Sequence, residues 1–300
     1  MDMTHNKCCR RGANLRRRRR RRRKILRSII FSCSIIAVAV FVAVGSSMIR
    51  SGDGRTNRYD VEAGNNTYDN AVIENSKISE KNKIQNNQSM LDDIMNSTQY
   101  PKQLKDLVLK NEEALEFVYD YPAEHVKEHT IDLTEEASMD SVPLFVQWDK
   151  RWGYEKYSGN FFAASGCGPT TLSMVVVYLT HNREASPIAV AKYSKEAGYS
   201  VDGSGSSWTL ISEGCMHYGV KAKAVALDES RMKAELDEGH PIVVNVGPGD
   251  FTDTGHFMVI TGYDDEGFSI NDPNSIEKSG KRWLFKNISS QIRAVWSMYV

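Results

Sequence analysis

Apolar and polar positions follow two rhythms along the chain, and they change over near its middle. From residue 142 onward, apolar residues first recur at helical spacing. Leu172, Val175, Val176 and Leu179 mark one face of a helix over 169–180. Further helical patterns run over 187–197, opened by Ser186 and Pro187, over about 206–218, and over 228–238. Strand patterns appear in "KAKAVAL" (221–227), "PIVVNV" (241–246), "HFMVITGYD" (256–264) and "GFSIND" (267–272). The last two are joined by "DDEG", a hairpin signal. Helices ahead of antiparallel strands predict an α+β domain over 142–300 rather than a doubly wound parallel sheet.

Upstream the rhythm weakens. Residues 50–90 are rich in Asn, Ser, Gly and charge and poor in large apolar side chains, which predicts a flexible stalk. Order is expected from about Leu91. "YPKQLKDLVLKN" puts Leu104, Leu107 and Val108 at helical spacing, and "NEEALEFVYDYP" puts Leu115 and Val118 on one face with Asn111 as a cap. This helical preface, 91–141, reads either as a clasp on the downstream domain or as a spacer.

Charge adds a further segment. The net charge of zero conceals fourteen Lys and Arg against one acid, Asp2, in residues 1–50, leaving 24 basic and 37 acidic residues in 51–300, a net of −13. An acidic bulk argues against a nucleic-acid-binding surface. The arginine block is followed by "IIFSCSIIAVAVFVAVGSSMI", residues 29–49, which carries no charge and has about the length that spans a bilayer as a helix. Arginines on its N-terminal flank hold residues 1–28 in the cytoplasm and place the rest outside. The competing reading is a cleaved signal peptide ending near Ala43-Val44-Gly45. Both readings export residues 51–300.

Five cysteines do not make a disulfide framework, because only Cys167 and Cys215 follow the apolar span. No C-x-x-C pair or H-E-x-x-H motif occurs, so neither a metal nor another cofactor is expected. Cys167 stands apart in "AASGCGPTTLSM". Pro169 suits the first turn of a helix, which puts Cys167 at the N-terminal end, where free N–H groups and the helix dipole favour a thiolate. Gly166 and Gly168 suggest a tight turn with room for a substrate backbone. A buried packing cysteine is the alternative at Cys167, and packing is the expectation for Cys215.

A thiol nucleophile needs a base. Of seven histidines, only His256 opens an apolar strand behind a glycine, rigidly held yet at the end of a sheet. Asp272 closes the strand that pairs back on it and is the candidate to orient its ring, with Asn271 and Asp264 as rivals. Gln147, in the apolar approach segment "VPLFVQWDKRW", is the candidate side-chain donor for an oxyanion, beside the backbone N–H of Cys167.

Together "PLFVQWDKRWGYEKY", "GCGPTTLSMV", "TGHFMVITGYD" and "NDPNS" resemble the cysteine peptidases of papain-like fold related to the bacteriocin-processing, double-glycine-leader peptidases. The closest likeness is to the standalone, membrane-tethered members common in Gram-positive bacteria. The resemblance covers residues 142–300, and its reach extends toward the preface from Tyr100. It implies Cys167 as nucleophile, His256 as base, Asp272 as orienter and Gln147 in the oxyanion hole, acting on a peptide or protein at the cell surface or wall. The transporter and ATPase domains usual in the bacteriocin-processing members have no counterpart here. Two other functions use the same cleft. One is a non-catalytic peptide- or wall-binding module, with Trp148, Trp152, Tyr154, Tyr157 and Trp208 as groove residues. The other is a thiol acyltransferase with the same triad.

Overall fold

The computed structural model describes residues 65–300. The predicted basic tail and apolar span, 1–49, lie outside the described residues. Among the described residues no helix is long and apolar enough to cross a membrane.

Where the composition predicts a flexible stalk, the chain from residue 65 forms a helix, α1 (Asn65–Asn96). Low hydrophobicity forbids burial, not helicity. Residues 81–89 are exposed, Gln88 reaches Asp92 one turn on at 2.9 Å, and Met90, Leu91 and Ile94 in the last turns pack on other residues. The next helix, α2 (Lys102–Lys110), buries Leu104, Leu107 and Val108, the three positions that the spacing selects. Asn111 ends it, and its side chain accepts from the Glu113 N–H as the chain turns into a 3₁₀ segment (Glu112–Ala114) and a short helix (Leu115–Tyr119). These pieces bury Ile94, Phe117 and Val118 against Phe161 and Ala163 of the downstream domain. The preface is a clasp.

The downstream domain is built on α3 (Cys167–Thr180), α4 (Pro187–Glu196) and α5 (Glu229–Asp237). Its sheet has six strands, β1 (Lys221–Ala224), β2 (Ile242–Val246), β3 (His256–Asp264), β4 (Gly267–Asn271), β5 (Arg282–Trp283) and β6 (Ile292–Tyr299). The order is β1-β6-β2-β3-β4-β5, antiparallel throughout. The predicted α+β class holds as a mixed helical and antiparallel domain.

Period-two alternation sorts the strands onto two layers. Val243, Phe257, Val259, Trp296 and Met298 face the cluster that contains Leu172, Val175 and Val176 of α3. Ile242, Val244, Val246, Met258, Ile260 and Ile270 face Met232 and Leu236 of α5. Because both faces are covered, every residue of β2 is buried. Two expectations change. The helix over 206–218 breaks into Thr209–Ser212 and a 3₁₀ turn, Gly214–Tyr218, at Glu213, whose φ of −127° departs from the helical value. The strand β6, for which no pattern was singled out, lies inside the sheet between the edge strand β1 and β2.

Candidate active site

Cys167 is the first residue of α3, with Gly166 before it and Pro169 in the first turn. The two glycines do not make room for substrate, as the sequence suggests. An added Cβ at Gly166 would lie 2.6 Å from the Phe162 ring, and one at Gly168 would lie 2.6 Å from Ser206 Oγ. The space beside the cysteine on those sides belongs to the chain itself. Phe162, fully buried, backs the turn from within, while Cys167 stays partly exposed.

His256 opens β3. Thr171 Oγ1 of α3 donates to Phe257 O at 3.1 Å, tying the nucleophile's helix to the base's strand. Asp272 follows β4, and its Oδ1 lies 2.7 Å from His256 Nε2, with His256 6% exposed and Asp272 fully buried. The second ring nitrogen is therefore left for Cys167, whose thiol interacts with the same imidazole. The rivals are engaged elsewhere. Asn271 Nδ2 donates to Val142 O and Pro143 O at 3.1 and 3.0 Å, and Asp264 pairs with Arg282 at the far end of the hairpin.

The electrostatics follow from this contact. Burial alone would push the Cys167 thiol up. The hydrogen bond and charge of His256, with the N–H groups of Phe257 and Gly168, outweigh it and bring the thiol below its ordinary value. Burial likewise opposes charge on His256, but Asp272 and the thiol together raise it to about 10. Both shifts favour a thiolate–imidazolium pair at neutral pH. Cys215 has no such partner. It is fully buried, and burial pushes its thiol up to about 11, so it is packing.

Gln147 is buried and lines the same cavity as Cys167 and His256, a cleft of about 450 Å³. Its Nε2 donates to Ala163 O at 2.6 Å, which fixes the amide orientation, and its Oε1 has no partner. The structure thus brings all four candidate residues to one place. The cleft walls come from parts that the sequence did not mark: Leu107 and Lys110 of α2, the loop over 249–255, and Asn274. None of the five aromatic residues considered for a binding groove lines it. Trp152 and Tyr157 are buried in the main core, Trp148 and Tyr154 pack on the preface, and Trp208 stacks edge-on against Trp296. The other described histidines are also elsewhere. His181 Nδ1 meets Ala137 O at 2.7 Å, His217 stacks on Tyr193, His240 meets Glu235, and His125 and His129 lie by Glu124.

Comparison with known proteins agrees with the site's position in the chain. Residues 139–300 match the model of the Peptidase_C39 like family. Two solved structures are similar at low identity. One is the peptidase domain of Streptococcus ComA, a bi-functional ABC transporter involved in a quorum sensing pathway. It is 20% identical, with a TM-score of 0.36 over 45% of this chain and 90% of that one. The other is described as a C39-like peptidase from Bacillus anthracis. It is 16% identical, with a TM-score of 0.34 over 53% of this chain and 95% of that one. No curated protein matches the chain. The family model spans more than half of the 300 residues, and the chain belongs to the Peptidase_C39 like family.

Proposed function

We propose that this protein is a membrane-anchored cysteine peptidase whose catalytic domain faces outward. The reading rests above all on one arrangement: a partly exposed cysteine that shares a cavity with an imidazole, which a fully buried carboxylate holds at 2.7 Å. The Cys167 thiolate attacks the carbonyl carbon of a peptide bond. The charge that develops on oxygen meets the Cys167 N–H and the second N–H of Gln147 Nε2. The tetrahedral intermediate collapses as the C–N bond breaks, and His256 gives its proton to the departing amine. Water, deprotonated by His256, then cleaves the thioester and regenerates the thiol. Asp272 keeps the ring aligned through both steps.

The pKa directions set a pH window. Activity requires Cys167 ionised and His256 protonated. It rises as pH passes the lowered thiol value, holds across neutrality, and falls as His256 loses its proton at about 10. Kinetics of peptide hydrolysis against pH test this, together with alkylation of the two exported thiols. Cys167 is expected to react at about pH 6 and Cys215 to stay unreactive under the same conditions. Equal, slow labelling of both would remove the activated thiolate.

The uncharged run at 29–49, with arginines ahead of it, supports an outward topology. Protease treatment of intact cells is expected to degrade residues 72–300 while sparing an N-terminal tag. Protection of the catalytic domain in unbroken cells would reverse the orientation.

A further inference from the structure

Asp272 is the first residue of a turn, and that turn is held by the preface rather than by the domain alone. Asp272 Oδ1 accepts from His256 and also from the Asn274 N–H at 2.8 Å, so the carboxylate's position depends on where residues 273–275 lie. Asn111, buried at the end of α2, donates from Nδ2 to Asn274 O at 2.8 Å and to Asn274 Oδ1 at 3.1 Å. The same side chain accepts from the Glu113 N–H at 3.1 Å through its oxygen. Glu113 then grips the next residues. Its carboxylate accepts from Ser275 Oγ, from the Ile276 N–H at 2.7 Å and from the Glu277 N–H at 3.1 Å. Two preface side chains, one fixing the other, thus clamp the turn that carries the orienting carboxylate. Both precede residue 139, where the family match begins.

From these contacts we infer that Asn111 and Glu113 are positioning residues for Asp272, so that the preface is a working part of the peptidase rather than a removable pro-segment. This inference rests on the thiolate–imidazolium reading of Cys167 and His256. Charge-assisted hydrogen bonds to a carboxylate are the stronger kind, and losing a clamp with several of them lets the turn shift. A misplaced Asp272 orients His256 less well, and the thiolate at Cys167 loses its counter-ion.

The test follows iodoacetamide alkylation of Cys167 in the full chain at about pH 6 and about pH 10, where any exposed thiol is largely ionised. Glu113→Ala is expected to slow alkylation about tenfold at the lower pH and leave it unchanged at the higher. Glu113→Gln, which keeps an acceptor for the two N–H groups, is expected to recover much of the loss. In an Asp272→Ala background, Glu113→Ala should add nothing. If Glu113→Ala fails to fold, Asn111→Ala, which removes the donor to Asn274, carries the same comparison. A folded Glu113→Ala protein with the wild-type pH profile overturns the inference. So does an equal loss at both pH values, or the same loss with Asp272 already removed, since each marks mere destabilisation. If wild-type Cys167 itself shows no fast alkylation at the lower pH, the peptidase reading fails first, before any clamp variant is made.

Discussion

Cys167→Ala is expected to abolish peptide hydrolysis, lowering kcat/KM by roughly three decades or more, as loss of a nucleophile does when the oxyanion donors and binding groove survive. The substitution leaves the scaffold in place. Cys167 is partly exposed, and alanine is a good residue for the first turn of a helix. Circular dichroism and the melting temperature should therefore match wild type while turnover vanishes. His256→Ala is expected to fall nearly as far, and the double variant no further than the worse single one, because the two groups act as a unit. Residual hydrolysis at the wild-type rate in Cys167→Ala would assign the chemistry to another group. Hydrolysis and acyl transfer share these losses. Product analysis with an added amine separates them, since only transfer yields the new amide.

Phe162→Ala carries the second large effect, this time on stability. Phe162 is fully buried, sits at a tilt to Tyr157 with ring centroids 6.0 Å apart, and fills the space that any side chain at Gly166 would need. Truncation removes the ring's burial and leaves a cavity, a cost of about 3–5 kcal/mol. That is a large share of a domain's usual margin of roughly 5–15 kcal/mol. Urea denaturation should show the midpoint fall. Because the cavity opens directly under the turn from Gly166 into Cys167, activity should drop even below the denaturation midpoint, beyond what the unfolded fraction explains. A loss of less than about 1 kcal/mol would mean that the turn collapses onto the void and that Phe162 does not support the nucleophile.

Much of this arrangement is legible in the residues. The dressing of Cys167 by Gly166, Gly168 and Pro169 marks a helix start, and α3 begins at that cysteine. The apolar run of "HFMVITGYD" and the alternation of "GFSIND" mark β3 and β4, which meet as an antiparallel pair with Val259 opposite Asn271. His256 extends three residues past that pair, and Asp272 only one, so the two meet by side-chain reach. Sequence proximity to one end of a hairpin was enough to select them.

What stayed hidden has physical causes. The strand β6, "IRAVWSMY", is buried on both sides over most of its length, with Val295, Trp296, Ser297 and Met298 all inside. A strand covered on both faces shows no polar alternation to betray it, although its aromatic and β-branched content was a usable signal. The clamp from Asn111 and Glu113 to residues 274–277 is a polar contact across more than 160 positions, and such contacts leave no local pattern. The purpose of the glycines was misread for a related reason. A missing Cβ looks the same in sequence whether the vacated space serves a ligand or, as here, Phe162 and Ser206.

The place of β6 bears on how the molecule comes to exist. Residues 292–299 insert between residues 221–224 and 242–246, pairing Trp296 with both Ala224 and Val243. Residues 221–224 have no partner in this sheet until that segment arrives, and residues 242–246 have only residues 256–260. Pairings this far apart in sequence raise the contact order and slow the search for the native state. The growing chain can form the β3–β4 hairpin early, yet it must wait for its late-made strand before the layer that backs α3 is whole. The sheet layer on which Leu172, Val175 and Val176 of α3 pack is therefore completed only after residues 292–299 have been made.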